Sequence, residues 1–199
     1  LKGFSAVAET LIANRAEIDV RDQNGTTPLQ LAAAYGHANL AEALLNRGAD
    51  ANAVNESGQT PLFNAAAAGH TAMIKVLLAA KAKVDAVDNN GRTALSYTAE
   101  KGHLDSVKVL LAAKADPNLG QRDLPLASAV KAGHLEIAEM LLRGGANPDL
   151  AGKLSSAVLA PANAGFTGQI FAGGGTSGQV SISFGGTSGQ SSFGPYLPL

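Results

Sequence analysis

Leucine pairs recur at a regular interval along most of the chain. They are separated by 33, 33 and 31 residues, at Leu44-Leu45, Leu77-Leu78, Leu110-Leu111 and Leu141-Leu142. Before the first pair, Leu40 adds an apolar position four residues ahead of Leu44, whereas Glu42 and Asn46 are polar. Because residues four apart lie on one face of an α-helix, this pattern predicts a helix with one buried stripe in each interval.

A glycine–histidine pair precedes each leucine pair in a constant register. The four pairs are Gly36-His37, Gly69-His70, Gly102-His103 and Gly133-His134. Eight residues before each glycine stand, in turn, Pro28, Pro61, Ala94 and Pro125. The short segment in between is rich in alanine at residues 31–35, and glycine readily adopts the left-handed backbone that ends a helix. These markers predict a repeated unit of turn, helix, turn and helix.

The starts of the first helices differ among the units. Thr27 and Thr60 each precede Pro-Leu, which favours a helix start because the hydroxyl can accept a backbone N–H and proline is tolerated at the first helical position. The third unit has Thr93-Ala94 without the proline, and the fourth has Leu124 in place of threonine. The loop before the fourth unit is also two residues shorter, so we expect it to be stunted or displaced.

These motifs resemble the ankyrin repeat family. Residues 27–32 read TPLQLA and residues 60–65 read TPLFNA, which match the family motif T-P-L-H-x-A except at the histidine. The resemblance covers residues 1–150 and implies an all-α solenoid of helix-turn-helix units joined by hairpin-like loops. By register, the array comprises a half-unit at residues 1–21 and full units at about 22–54, 55–87, 88–118 and 119–149.

Both ends of the array depart from the repeat. Gly3-Phe4 stands 33 residues before Gly36-His37, so we expect the chain to begin with the second helix of a unit. Either the sequence is a fragment of a longer protein, or another surface covers that helix. Residues 151–165 fit a degraded half-unit, but Pro161 favours a short or broken helix, and both interpretations stay open.

The tail, residues 166–199, is rich in glycine, serine and threonine, and the chain carries no charged residue after Lys153. The sequence GGTSGQ occurs twice, at residues 174–179 and 185–190, and Val180, Ile182 and Phe184 alternate between the copies. Alternation predicts a β-strand, whereas the composition is also typical of a flexible linker. Neither glycine-rich copy is followed by Lys-Ser or Lys-Thr, so the sequence does not predict a phosphate-binding loop.

Composition narrows the functional classes. The chain has 15 Lys and Arg against 16 Asp and Glu, so no net field favours nucleic acid or an anionic membrane. It contains no cysteine, and no apolar run approaches the roughly 18 residues that span a bilayer. The uncharged tail of a cysteine-free chain slightly favours an exported setting, but it does not assign a compartment.

Candidate chemistry is limited to four histidines and recurrent carboxylates. One histidine per unit, at a unit spacing of about 10 Å, is too dispersed for one metal ion, and the resemblance implies that these histidines brace the turns. Asp50, Asp85 and Asp116 recur at unit ends, where aspartate is common in turns. With no G-x-S-x-G motif either, the sequence predicts neither a catalytic site nor a metal or cofactor site.

The resemblance implies that a partner protein docks on the concave face formed by the loop tips and the first helices. Residues of that face that packing does not require are the candidates, with Tyr35 and Arg92 as expected anchors because aromatic and arginine side chains often dominate interface energies. The set comprises Gln23, Asn24, Thr26, Tyr35, Glu56, Ser57, Gln59, Asn89, Asn90, Arg92, Glu100, Lys101, Gln121, Arg122, Asp123 and Lys131.

The alternative function is structural self-assembly. The incomplete units at the two ends would complete one another between copies, head to tail, and form a filament that the tail reinforces. The residues assigned to that contact are Leu1, Phe4, Val7, Leu11, Val158, Phe166, Val180, Ile182 and Phe184.

Overall fold

The computed structural model describes residues 18–121 and 123–150, and the backbone of three strands in the tail. The helices of the array are α1 (Pro28–Tyr35), α2 (Ala38–Asn46), α3 (Pro61–Ala68), α4 (Thr71–Ala79), α5 (Ala94–Lys101), α6 (Leu104–Ala112), α7 (Pro125–Lys131) and α8 (Leu135–Arg143). The strands β1 (Gly168–Ala172), β2 (Val180–Phe184) and β3 (Ser191–Phe193) form an antiparallel sheet in the order β1-β2-β3, with Ile170 opposite Ile182.

Two of the first helices begin with a reciprocal cap. The Thr27 hydroxyl accepts the Gln30 N–H at 3.3 Å, and the Gln30 side chain accepts the Thr27 N–H at 2.9 Å. Thr93 and Ser96 do the same, which compensates for the missing proline. Thr60 makes no such cap, so the cap predicted there is wrong. The third residue of α3 is Phe63, whose side chain cannot return a hydrogen bond. Within the described residues, the buried Thr60 hydroxyl has no hydrogen-bond partner.

Each of the first three first helices ends at the predicted glycine. Gly36, Gly69 and Gly102 have φ of 71°, 72° and 78°, in the left-handed region. The second helix of the unit begins two residues later, at Ala38, Thr71 and Leu104. The turn-helix-turn-helix order is therefore confirmed in these units.

Shared leucines form the core between the stacked units. Leu44, Leu77, Leu110 and Leu141 occupy the same position in successive second helices and are almost completely buried. Each first helix contacts the first helix of the next unit, and each second helix contacts the next second helix. Small residues on the first helices, such as Ala33, are buried as well. The paired helices therefore stack in phase, and the predicted all-α repeat is confirmed.

We call the loops between units fingers, and define them as residues 22–26, 55–59, 88–92 and, in the fourth unit, 119–121 and 123. Backbone hydrogen bonds close the first three, for example from Asn55 N–H to Gln59 O at 3.1 Å. Neighbouring fingers are joined by Glu56 N–H to Asn24 O, Asn89 N–H to Ser57 O and Gln121 N–H to Gly91 O, each 3.0 Å long. The first two acceptors, Asn24 and Ser57, are equivalent in the repeat register, and the equivalent residue of the third finger is Asn90. The acceptor there is instead Gly91, one residue later. The fourth finger is therefore displaced by one residue, as its shorter loop predicts.

Several expectations concern parts of the chain outside the described residues. The half-unit at the start of the chain, apart from residues 18–21, and the degraded half-unit at 151–165 belong to this group. Within the described ranges, no helix is long and apolar enough to cross a bilayer.

Candidate protein-interaction face

The repeated histidines lock neighbouring units together. Nε2 of His70 donates to the carbonyl of Ala34 at 3.1 Å, and His103 and His134 reach the equivalent carbonyls of Ala67 and Glu100 at 3.3 and 3.1 Å. The acceptor lies in the preceding unit, about 35 residues away along the chain, so each histidine braces a seam between units as well as a turn. These side chains are thereby engaged in structural contacts.

The aspartates at the unit ends also make turn and seam contacts. Asp50 Oδ1 accepts the Asn52 N–H at 2.9 Å, and Asp116 Oδ1 accepts the Asn118 N–H at 2.8 Å. Asp85 Oδ1 accepts the Asp116 N–H of the next unit at 2.9 Å. The turn role that the sequence predicts for these carboxylates is confirmed.

The fingers and the first helices make up one face of the array, and in its first unit α1 exposes two large apolar side chains. Tyr35 is 70% exposed and Leu31, one helical turn before it on α1, is 46% exposed. The Tyr35 ring stacks against His37 with centroids 6.3 Å apart. The neighbouring positions on α3, Ala67 and Ala68, are exposed but small. Tyr35 and Leu31 therefore form an exposed apolar pair at this end of the face.

Towards the third unit the face becomes polar around Tyr97. Its hydroxyl donates to Asp88 Oδ2 at 2.9 Å and accepts from the Gln59 amide at 3.2 Å. Its ring lies edge-on to Phe63, with centroids 5.7 Å apart, and the Arg92 guanidinium sits 4.1 Å above the ring centroid. Burial, followed by the hydrogen bond to Asp88, raises the pKa of Tyr97 above its ordinary value. Tyr97 therefore ties the second and third fingers to α3 and α5.

Ion pairs extend this network to the fourth unit. Arg92 pairs with Glu100 and lies 3.7 Å from Asp123 Oδ2, and its side chain is only 16% exposed. Lys101 approaches Glu100 at 3.1 Å, and Lys131 approaches Asp123 at 3.3 Å. The sequence places Arg92 among the residues that packing does not require, but these contacts engage it within the array. Stacking of the units brings Tyr97, Glu100 and Asp123 around Arg92. The sequence of a single unit does not reveal these contacts.

The charges in this network support one another. Burial opposes the ionisation of Glu100, but hydrogen bonds from Arg92 and Lys101 outweigh it and lower the pKa of Glu100. Burial likewise opposes the charge on Arg92, and the contact with Glu100 more than compensates, so the pKa of Arg92 is raised. Glu100 and Arg92 therefore both stay charged at neutral pH.

Replacing Glu100 by glutamine is expected to make the free energy of unfolding change less between neutral pH and about pH 3. The lowered pKa means that Glu100 stabilises the fold above its unfolded pKa near 4.5 and loses this contribution as the pH falls through the folded value. The effect is modest because the side chain is partly exposed. Urea unfolding at neutral pH and at about pH 3 measures it. Glu42→Gln, at an exposed position on α2, is the control, and an equal change in both variants would contradict the prediction.

The predicted interaction residues are not all alike in exposure. Those that are exposed are Gln23, Asn24, Tyr35, Glu56, Ser57, Asn89, Asn90, Lys101, Gln121 and Lys131. Those that are partly buried are Thr26, Gln59, Arg92, Glu100 and Asp123, and Arg122 lies outside the described residues. Sequence reasoning missed Leu31 and Tyr97, although Leu31 stands four residues before Tyr35 and the repeat register aligns Tyr97 with Leu31.

Most of the residues assigned to self-assembly lie outside the part of the chain that the structure describes. Leu1, Phe4, Val7, Leu11, Val158 and Phe166 lie outside the described residues. Val180, Ile182 and Phe184 lie in β2, of which the backbone alone is described.

Comparison with known families agrees with this architecture. The family model for ankyrin repeats (3 copies) matches residues 1–88 and 79–151. No curated protein shows significant similarity to the chain. Such repeats are generally protein–protein interaction modules and are typically non-catalytic. Because the matches cover most of the chain, as do the stacked helix pairs, this protein belongs to the ankyrin repeat family.

Proposed function

We propose that this chain is a non-catalytic interaction module that binds a partner protein on the face formed by its fingers and first helices. The observation that carries the proposal is the exposed pair of Tyr35 and Leu31, one helical turn apart on α1. Large apolar side chains that a fold leaves unpacked, beside a rim of polar groups, are the usual anchors of protein interfaces. The polar network around Tyr97 supplies such groups further along the same face.

The second helices offer less for a partner to recognise. Their exposed positions include charged residues such as Glu42, Lys75 and Asp105, and a single exposed leucine, Leu135. Scattered single apolar residues are normal on a protein surface, whereas neighbouring ones favour an interface. The finger and first-helix face is therefore the better candidate for docking.

The double substitution Leu31→Ala and Tyr35→Ala is expected to weaken partner binding by roughly tenfold or more, because it removes the largest exposed apolar contacts of the face. Partners of the full chain would be identified by chemical crosslinking and mass spectrometry, and the affinity of a purified partner would then be measured by calorimetry. Both side chains are exposed, so the unfolding midpoint should change little.

Leu135→Ala is the matched control, since Leu135 is exposed to 45% but lies on a second helix. It should leave the affinity unchanged. Equal affinities for the double variant, the control and the unchanged chain would reject docking at α1.

A further inference from the structure

Two lysines adopt a backbone conformation that is unfavourable for them. Within the described residues, Lys81 and Lys114 are the two non-glycine residues with a left-handed backbone, with φ of 61° and 67°. A residue with a Cβ is strained in this region, because the Cβ crowds the following carbonyl oxygen. The repeat register places Gly48 and Gly145 at the equivalent positions of the first and fourth units, and both have φ of 92°. The second and third units therefore carry strain that glycine would remove.

Helix capping does not account for the two strained lysines. A basic residue at the end of a helix is favourable, because it faces the negative end of the helix dipole. In the first unit that residue is Arg47, which stands before Gly48 and has an unstrained φ of −96°. The second and third units have Ala80 and Ala113 at that position, and the lysine follows one residue later. Capping could thus be achieved without strain, and strain that capping does not require is typical of positions used for binding.

The two lysine side chains project into solvent at the same position of adjacent units. Lys81 and Lys114 are both exposed, and a Cβ built at Gly48 or Gly145 has no heavy atom within 4 Å. Helices that pack together lie about 8–10 Å apart, so the lysines that follow α4 and α6 are neighbours. Within the described residues, neither ammonium group takes part in an ion pair. Both charges are therefore available to a ligand.

A second pair of lysines lies on the same two helices. Lys75 on α4 and Lys108 on α6 occupy equivalent positions and are exposed. Lys108 is 3.5 Å from Asp105, an exposed pair that contributes little to stability. The equivalent residues of the outer units are Glu42 and Glu139, so positive charge at this position is confined to the two central units. We call these four residues the central lysines: Lys75, Lys81, Lys108 and Lys114.

The carboxylates nearest in sequence to Lys81 and Lys114 are engaged in the loops. Asp85 Oδ1 accepts the Asp116 N–H at 2.9 Å, and Asp116 Oδ1 accepts the Asn118 N–H at 2.8 Å. Neither α4 nor α6 carries any of the large apolar side chains that are exposed in the described residues. Recognition at the central lysines therefore rests on charge, and the complementary ligand is an anion.

We propose that the central lysines bind an acidic segment of another protein, one that presents a few Asp or Glu side chains. A nucleic-acid duplex or a membrane would extend over the outer units, where Glu42 and Glu139 repel it, whereas a short segment covers the two central units alone. The tail of the chain does not supply these carboxylates, because it has no charged side chain after Lys153. The inference goes beyond the proposed function and is independent of it, since it concerns the second helices.

Titration of the isotopically labelled full chain with an acetylated peptide of alternating glutamate and serine, followed by NMR, tests this contact directly. We expect saturable shifts of the backbone amides of the central lysines, and none with a peptide in which glutamine replaces glutamate. The proposal is overturned if the acidic peptide gives no saturable shifts, if the shifts lie on the first helices instead, or if the neutral peptide gives the same shifts.

The double variant Lys81→Gly and Lys114→Gly separates binding from folding. Glycine removes the charge and the strain together, so the affinity for the acidic peptide should fall by roughly tenfold while the thermal unfolding midpoint rises by about 2–8 °C. Lys81→Gln with Lys114→Gln removes the charge and keeps the strain, so it should weaken binding equally and leave the midpoint nearly unchanged. Unchanged affinity in both double variants would reject the contact. A glycine variant with no higher midpoint would reject the argument from strain.

Two controls make the test specific. Arg21→Gln removes one positive charge at the first finger, where Arg21 donates to the carbonyls of Gly25 and Val54, and should leave the affinity for the acidic peptide unchanged. Lys81→Gln alone should weaken it by about two- to fivefold, the range for an exposed ion pair. Equal losses in both would indicate general attraction and reject a localised contact. Tighter binding of a DNA duplex or of phosphatidylserine vesicles than of the acidic peptide, at the same salt concentration, would overturn the assignment to a protein segment.

Discussion

Replacing Gly69 by alanine is expected to lower the free energy of unfolding by about 2–4 kcal/mol, which combines left-handed backbone strain with a steric clash. Gly69 has φ of 72°, a conformation that residues with a Cβ rarely adopt. A Cβ at this position would also lie 2.6 Å from the His103 ring of the next unit. That ring is held by its hydrogen bond to Ala67, so it cannot yield without loss of the seam contact. Urea denaturation followed by circular dichroism measures the change.

Gly48→Ala is the matched control for Gly69→Ala. Gly48 is also left-handed, with φ of 92°, but no heavy atom lies within 4 Å of a Cβ built there. Its replacement should therefore cost only the backbone strain, about 1–2 kcal/mol. Combining Gly69→Ala with His103→Ala should cost less than the sum of the two single changes, because the ring that clashes is gone. Equal costs at both glycines, with strict additivity, would contradict the seam lock.

Replacing Leu77 by alanine is expected to destabilise the array by about 2–5 kcal/mol, the range for large-to-small changes in a packed core. Leu77 is fully buried on α4, and α4 contacts α2 and α6 of the neighbouring units. The cavity would therefore weaken two seams at once. In a stack of units that contact only their neighbours, a broken seam can uncouple the two parts, so the unfolding transition should also broaden.

Leu135→Ala serves as the comparison for Leu77→Ala. Leu135 lies at the start of α8 and is exposed to 45%, so its truncation should change the free energy of unfolding by no more than about 0.5 kcal/mol. Thermal and urea unfolding of both variants give the two values. Similar losses in both would mean that the leucine positions are not the shared core of the stack.

The face that we propose for partner binding was only partly predictable. Tyr35 was assigned because aromatic side chains often dominate interface energies, and its side chain is indeed exposed. Arg92 was assigned by the same reasoning and proved to be engaged, because Tyr97 and Glu100 come from α5 and Asp123 from the fourth finger. Side-chain type and register indicate which face a residue occupies, but they do not indicate which charges meet there.

The local features of this protein could be predicted from its amino-acid order. Helix starts, glycine ends and leucine stripes follow from backbone strain and from the helical period, which act over a few residues. The contacts across a seam could not be predicted in this way, for example His70 to Ala34, 36 residues apart, and Gln59 to Tyr97, 38 residues apart. These contacts exist because stacking brings together side chains from different units, and the positions of those side chains depend on packing rather than on local pattern.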